Sequence, residues 1–374
     1  MSRRTLIVTN DFPPRQGGIQ SFVYGLAIRQ PPGSVVVYAS DYPGAAAFDA
    51  AQPFPVLRHP SRLLVPTPAA RRRTVAALRE FECTAVWFGA AAPLGLLAPA
   101  LRSAGAQRIV ATTHGHEAGW AVLPGARQAL RRIGAGCDVV TYLGEYFRRR
   151  LESTAGRGAE LVQLTPGVDT ELFRPDVDGT AVRERYRLAG RPVVVCVSRL
   201  VPRKGQDTLI HALPSVRRQV RDATLLFVGA GRYREELERL AGSVDVTDSV
   251  VFTGAVAHDE LPAHFAAGDV FAMPCRTRRA GLDVEGLGIV FLEASATGLP
   301  IVVGDSGGAP DAVRDGETGF VVDGRDVGAV ADRLIRLLDD AALRKQMGAA
   351  GRAWVEREWR WDVLADRLHA LLNE

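Results

Sequence analysis

Two carboxylates eight positions apart, Glu285 and Glu293, bracket a stretch that is otherwise apolar or glycine: Gly286, Leu287, Gly288, Ile289, Val290, Phe291 and Leu292. Gly286 and Gly288 permit close backbone approach, and the run after them stops at Gly298 with Pro300 just beyond, an ordinary helix end. The pattern predicts a helix beginning near Gly288, with Glu293 one turn past Ile289 and Glu285 in the loop before it. Free N–H groups at a helix start carry positive partial charge and welcome an anion such as phosphate. Taken singly, each glutamate reads more readily as a capped or solvated residue. As a pair they also fit the two carboxylates of a glycoside hydrolase. The residues that accompany them decide between these readings.

Cations come first. Val193 to Val197 is a near-continuous apolar run, followed by Ser198-Arg199-Leu200-Val201-Pro202-Arg203-Lys204-Gly205 and a helix from about Gln206. Arg199 and Lys204 flank this strand-to-helix turn and can converge on one anion, the first as a fork and the second as a point charge. In the first half, the strand Thr5 to Thr9 runs into Asn10 to Gly18, and a helix follows near Ile19. The adjacent Gly17 and Gly18 suit either a tight turn or backbone contact with a ligand, although the loop matches neither G-x-G-x-x-G nor a P-loop. His114 follows the strand Arg108 to Ala111, at the carboxyl end where parallel sheets bind ligands.

The elements that would position these residues alternate along the chain. Further strands are expected at Val35 to Ala39, Val56 to Arg58, Ala85 to Phe88, Val139 to Tyr142, Leu161 to Leu164, Thr224 to Val228, Val250 to Thr253, Val270 to Met273, Ile301 to Val303 and Gly319 to Val322, with helices between many of them. That alternation predicts an α/β protein with doubly wound parallel sheets. At 374 residues the chain suits two domains, and the turn-rich Thr165 to Pro175 marks the linker. The expected division is 1–167, 168–353 and a closing helix 354–374. The tail from Ala341 to Leu372 reads as helical, with Trp359 and Trp361 as packing residues.

Composition narrows the partners. The net charge of +4 is small, but arginines cluster at Arg58, Arg62, Arg71 to Arg73, Arg127, Arg131, Arg132 and Arg148 to Arg150. Each run is a solvated helix face by default. Together, with Leu63, Leu64 and Val65 beside Arg62, they suit anionic lipid headgroups, whereas no nucleic-acid motif accompanies them. No apolar run is long enough to span a bilayer and no signal-peptide core follows Met1, which predicts a cytoplasmic protein, and the basic clusters suit peripheral association with the inner face of the plasma membrane. The dispersed Cys83, Cys137, Cys196 and Cys275 predict reduced thiols. Asp176-Val177-Asp178 is formally a cation-binding Asp-x-Asp but falls in the linker, so no obligatory metal or cofactor is expected.

Ser198-Arg199-Leu200 with Lys204-Gly205, then Gly254, then Glu285 and Glu293 with seven residues between them, occur in the order of the retaining glycosyltransferases related to glycogen synthase, which the chain resembles. Asn10 to Gln20, Trp87 to Leu94, Thr113 to Glu117, Ser198 to Asp207 and Gly281 to Gly286 are similar to the actinobacterial GDP-mannose-dependent mannosyltransferases acting on phosphatidylinositol monomannoside. The resemblance implies the GT-B fold, two Rossmann-like domains with a cleft between them and a last helix returning to the N-terminal domain. It implies a nucleotide sugar donor, GDP-mannose, and an inositol phospholipid acceptor. His114, Glu285, Arg199 and Lys204 would be catalytic. Gly17, Gly18, Gly254, Ala255, Val256, Gly288, Ile289, Val290 and Glu293 would join them in holding the donor, and Gln16, Gln20, Arg62 and His116 would meet the acceptor. Ser198 and Leu287 depart from the Gly and Phe common in the wider family, which touches subsite shape more than reaction class. A member of the same family with another nucleotide sugar donor, such as a UDP-sugar, or with a different lipid or small-molecule acceptor, and a non-catalytic two-domain sugar- or nucleotide-binding protein are the competing readings.

Overall fold

The computed structural model describes residues 3–115, 117–120 and 123–374. It divides into two compact units: the described residues up to Gly167 together with Trp361–Glu374, and Val168–Arg360.

The first unit is built on β1 (Thr5–Thr9), β2 (Val35–Ser40), β3 (Val56–His59), β4 (Ala85–Phe88), β5 (Arg108–Thr112), β6 (Val139–Tyr142) and β7 (Glu160–Gln163). These form one parallel sheet in the order β3-β2-β1-β4-β5-β6-β7. Strands covered on both faces must be apolar along their length, and β1, β2 and β4 are buried at every position. The order reverses between β1 and β4, so the loops leaving those two carboxyl ends part in opposite directions and open a crevice. The helix Trp361–Asn373 closes this unit. Trp361 packs where a Cβ on Gly25 would lie 2.6 Å away, Gln30 donates to the Ala365 carbonyl at 3.1 Å, and Arg108 donates to the Leu371 carbonyl at 2.8 Å.

The second unit carries β8 (Val193–Val197), β9 (Thr224–Val228), β10 (Val250–Gly254), β11 (Val270–Met273), β12 (Ile301–Gly304) and β13 (Gly319–Val322). They form a second parallel sheet in the order β10-β9-β8-β11-β12-β13, with its reversal between β8 and β11. Both sheets match the doubly wound α/β class expected from the alternation.

Several helices differ from expectation. Ala45–Ala50, Pro124–Gly136 and Thr180–Arg185 are helical without having been predicted. In Pro124–Gly136 only Leu130, Ile133 and Gly134 are buried among arginines and small residues, too thin a stripe to read as periodic. The C-terminal tail is two helices, Ala341–Glu358 and Trp361–Asn373. The first runs through the expected boundary at residue 353 and stays with the second unit, because Arg352 Nη1 donates to the carbonyls of Thr170, Phe173 and Ala296 at 3.0, 2.7 and 2.8 Å. Trp354 and Trp359 pack edge to face at 5.3 Å beside it.

Removing that guanidinium strands three carbonyls. Arg352→Met is expected to lower stability by about 2 to 4 kcal/mol in denaturant unfolding. A loss below about 0.5 kcal/mol, the level of an ordinary surface change, would contradict this role.

Candidate functional site

In the second unit the carboxyl ends of β8, β9 and β10 are stitched together by backbone. Ser198 N–H donates to the Val228 carbonyl at 3.0 Å, Leu200 N–H to Ala230 at 3.0 Å, and Gly229 N–H to Gly254 at 2.9 Å. This holds Ser198 to Lys204 across the sheet edge. Gln206 Nε2 fixes the same loop from the helix Gln206–Gln219, donating to Ser198 Oγ at 2.8 Å and the Arg199 carbonyl at 3.1 Å. Gly205, at φ 77°, lets the turn lie so close to β11 that a Cβ would sit 2.1 Å from the Pro274 carbonyl oxygen. The outcome is unequal for the two predicted cations. Lys204 is buried, whereas Arg199 is exposed with its side chain in no hydrogen bond or ion pair among the described residues.

Lys204 meets Glu285. Its Nζ lies 2.7 Å from Glu285 Oε2, and the Arg203 guanidinium reaches the same oxygen at 2.5 Å. Arg203 Nε in turn lies 3.3 Å from Asp283 Oδ1. The backbone of Glu285 is held as firmly: its N–H donates to Ser306 Oγ at 3.2 Å, and its carbonyl accepts from Gly308 N–H at 3.1 Å. A Cβ at Gly307 would fall 2.0 Å from that carbonyl oxygen, and Gly307 has φ 58°, so only glycine fits. Burial pushes the Glu285 carboxyl upward, but Lys204 and Arg203 outweigh it and hold the group below the ordinary carboxylate value. Arg203, Asp283, Ser306 and Gly307 are the residues that sequence reasoning missed. The Asp305 to Pro310 glycine turn at the end of β12 was the available signal.

The helix after this carboxylate is Ile289–Ala296, capped by Gly288 in a left-handed conformation. Gly288, Ile289 and Val290 are half-buried, and their free N–H groups make an anion-accepting end. Glu293 projects from the same helix one turn on. Burial alone drives its carboxyl up to about 7, since no cation accompanies it as Lys204 accompanies Glu285. Gly254, at φ 78°, closes β10, followed by exposed Ala255 and half-buried Val256. In the linker, Asp178 accepts from Thr180 N–H at 2.8 Å and Asp176 lies 3.3 Å from Arg174. Among the described residues no group of three or more His, Cys, Asp and Glu side chains is disposed to hold a metal.

In the first unit the loop after β1 is anchored rather than loose. Asn10 exchanges two hydrogen bonds with the Leu64 backbone, at 2.7 and 2.6 Å, and Arg58 Nη2 donates to the Pro13 carbonyl at 2.6 Å. Arg58 also pairs with Asp49 at 2.7 Å, so it is a structural clamp and not a member of a solvated basic surface. Leu64 is fully buried by the same anchoring, leaving Leu63 outside at 61% exposure. Gln16, Gly17, Gly18 and Arg62 are exposed, while Gln20 is buried and donates to Asp11 Oδ1 at 2.6 Å. His114 follows β5 as expected. Its Nε2 lies 2.6 Å from the Gly89 carbonyl at the end of β4, and since a carbonyl only accepts, Nε2 carries the hydrogen. Its ring also packs edge to face on Phe22 at 5.4 Å, and its N–H donates to Glu117 at 2.9 Å. His116 lies outside the described residues.

Each unit matches a known sequence family. Residues 16–172 match the model described as Glycosyltransferase Family 4, and residues 180–354 the model described as Glycosyl transferases group 1. A Mycobacterium tuberculosis protein named GDP-mannose-dependent alpha-(1-6)-phosphatidylinositol monomannoside mannosyltransferase is 56% identical, covering 99% of this chain and 98% of its own. A Corynebacterium glutamicum protein, named for the same transfer to a monoacylated acceptor, is 49% identical over 100% of this chain and 98% of its own. Among solved structures, Anabaena HepE in complex with UDP superposes with a TM-score of 0.79 at 19% identity, covering 99% of both chains, which speaks to fold alone.

The raised carboxyl of Glu293 has a consequence for the ligand-free protein. A folded-state value near 7 against an ordinary 4.5 means the folded chain holds a proton that the unfolded chain releases, so stability is greatest below the ordinary value and falls as pH rises toward 7. Glu293→Gln removes this and is expected to gain on the order of 1 to 3 kcal/mol at pH 8 and little at pH 5. Equal effects at both pH values in denaturant unfolding would contradict it.

Proposed function

The chain belongs to the family 4 glycosyltransferases, and on that premise we propose that it transfers mannose, with retention, from GDP-mannose to phosphatidylinositol monomannoside, forming the alpha-1,6-linked dimannoside. The observation that carries this reading is the Lys204–Glu285 contact: a buried ammonium that a diphosphate can claim, beside a carboxylate that a sugar hydroxyl can meet. The identity of 56% to the mycobacterial relative supplies the donor and acceptor.

The roles are those that the family resemblance implies, and the chemistry of each residue agrees with them. Lys204 and the exposed Arg199 neutralise the donor diphosphate, and the N–H groups of Ile289 and Val290 take its distal phosphate. Glu293 accepts from the ribose hydroxyls. The backbone at Gly254, Ala255 and Val256 borders the base. Glu285 accepts from a hydroxyl of the transferred sugar. In the first unit, the resemblance assigns Gly17 and Gly18 to the diphosphate and His114 to the transferred sugar. In the reaction the bond from the anomeric carbon to the phosphate oxygen breaks as the bond to the acceptor oxygen forms on the same face. The acceptor proton passes to the departing phosphate, so no enzyme carboxylate acts as nucleophile. Gln16, Gln20, Arg62 and the undescribed His116 are assigned to the acceptor; buried Gln20 acts through the loop it braces.

The protein works at the cytoplasmic membrane face in this reading. No helix among the described residues is long and apolar enough to cross a bilayer. Leu63 and Leu123, 61% and 62% exposed, follow the carboxyl ends of β3 and β5, with exposed Arg62 and Arg127 beside them. Arg148 and Arg149 contribute less charge, because Glu145 and Glu152 pair with them.

Mass spectrometry of products from GDP-mannose and phosphatidylinositol monomannoside is expected to show the dimannoside; turnover of UDP-sugars in preference, or intact GDP-mannose, would overturn the assignment. Glu285→Gln is expected to lower kcat by roughly 100-fold or more while weakening GDP by no more than about threefold. Equal losses in both would place Glu285 in nucleotide binding instead. In vesicle sedimentation, Leu63→Glu with Leu123→Glu is expected to release the protein from phosphatidylinositol-rich vesicles and leave hydrolysis-free GDP binding intact; unchanged sedimentation would remove this surface from the membrane contact.

A further inference from the structure

Two cations meet on one carboxylate oxygen, with a second carboxylate, Asp283, beside one of them. Lys204 and Arg203 adjoin in sequence, yet they reach Glu285 Oε2 together, at 2.7 and 2.5 Å. They differ in what else holds them. Arg203 has a second carboxylate, Asp283, 3.3 Å from its Nε, and its backbone carbonyl accepts from Arg276 N–H at 2.8 Å. Arg276 is itself locked to Asp207 at 2.6 Å and to Thr208 Oγ1 at 3.1 Å. Lys204 has no ion-pair partner besides Glu285 among the described residues, and its ammonium sits on a flexible four-carbon stem.

We infer that Arg203 is a positioning residue that keeps Glu285 paired and oriented when Lys204 leaves it for the donor diphosphate. The inference rests on the donor-binding role proposed for Lys204. A buried carboxylate stripped of every cation is costly, so Lys204 can move only if something else stays behind. Arg203, gripped by Asp283, is what stays. Lys204 thus serves the carboxylate in the donor-free protein and the diphosphate afterwards, and the affinity for a nucleoside diphosphate depends on a residue that never touches it.

The test is a double-mutant cycle in GDP affinity, measured by calorimetry on the full chain without acceptor. With Arg203→Met, binding GDP must strand Glu285, and affinity is expected to fall about tenfold. In Arg203→Met with Glu285→Gln there is no charge to strand, and affinity is expected to return to within about twofold of Glu285→Gln alone. Arg203→Lys keeps the charge but not the two-point grip, and a loss of about threefold with the same rescue is expected, which serves if the methionine variant does not fold. Additive losses, with no rescue by Glu285→Gln, would mean that Arg203 supports only the shape of the loop and would overturn the inference. Failure of the wild-type chain to bind GDP at all would instead overturn the donor assignment, and the same cycle run with UDP or ADP would then judge Arg203 by the same criterion.

Discussion

A carboxylate taken out of water either keeps a cation beside it, as Glu285 does, or gives up its charge, as Glu293 does, and the pairing of Glu285 organises the site in the second unit. Glu285 is buried, and everything that approaches it has a reason in this constraint. Lys204 and Arg203 arrive from the loop after β8 and Asp283 backs Arg203. Ser306 and Gly308 fix the backbone from the loop after β12. The loops after β8 and β12 therefore converge on the loop that carries Glu285, one at its side chain and one at its backbone. The arrangement is poised rather than inert, because the ion that balances Glu285 is the one a phosphate would attract.

The fold supplies the convergence. In both sheets the strand order reverses at a single point, between β1 and β4 and between β8 and β11, and the loops carrying His114, Gly17, Lys204 and Glu285 leave carboxyl ends at or beside these points. Rigid strands set the loops down, and close backbone packing sets their height. At Gly205 and Gly307 the neighbouring carbonyl is so near that a side chain would collide with it. His114 shows the same principle in the first unit: the Gly89 carbonyl at the end of the adjacent strand accepts from Nε2 and fixes the ring's tautomer.

Much of this was legible in the chain. Buried parallel strands read as apolar runs, so Val193–Val197, Thr224–Val228 and Val270–Met273 stand where the sequence places them, and the loops after them follow. The glutamates stood out because two charges interrupt an apolar helix start. What stayed hidden depends on distant contacts. Nothing local separates Arg203 from Arg199, since only the packing of the loop against β11 decides which faces Glu285. Leu63 and Leu64 look alike, and Asn10, more than fifty residues away, turns one in and leaves the other out. Pro124–Gly136 hid for another reason, its buried stripe being only a few residues wide.

The central claim is that Lys204 changes partner while Arg203 does not. A crystal structure of the protein with a nucleoside diphosphate sugar bound tests it most directly. The expected result places Lys204 Nζ on a diphosphate oxygen, roughly 3 Å away, with the Arg203 guanidinium still on Glu285 and Asp283. A diphosphate bound with Lys204 still on Glu285, or with Arg203 departing in its place, would contradict it.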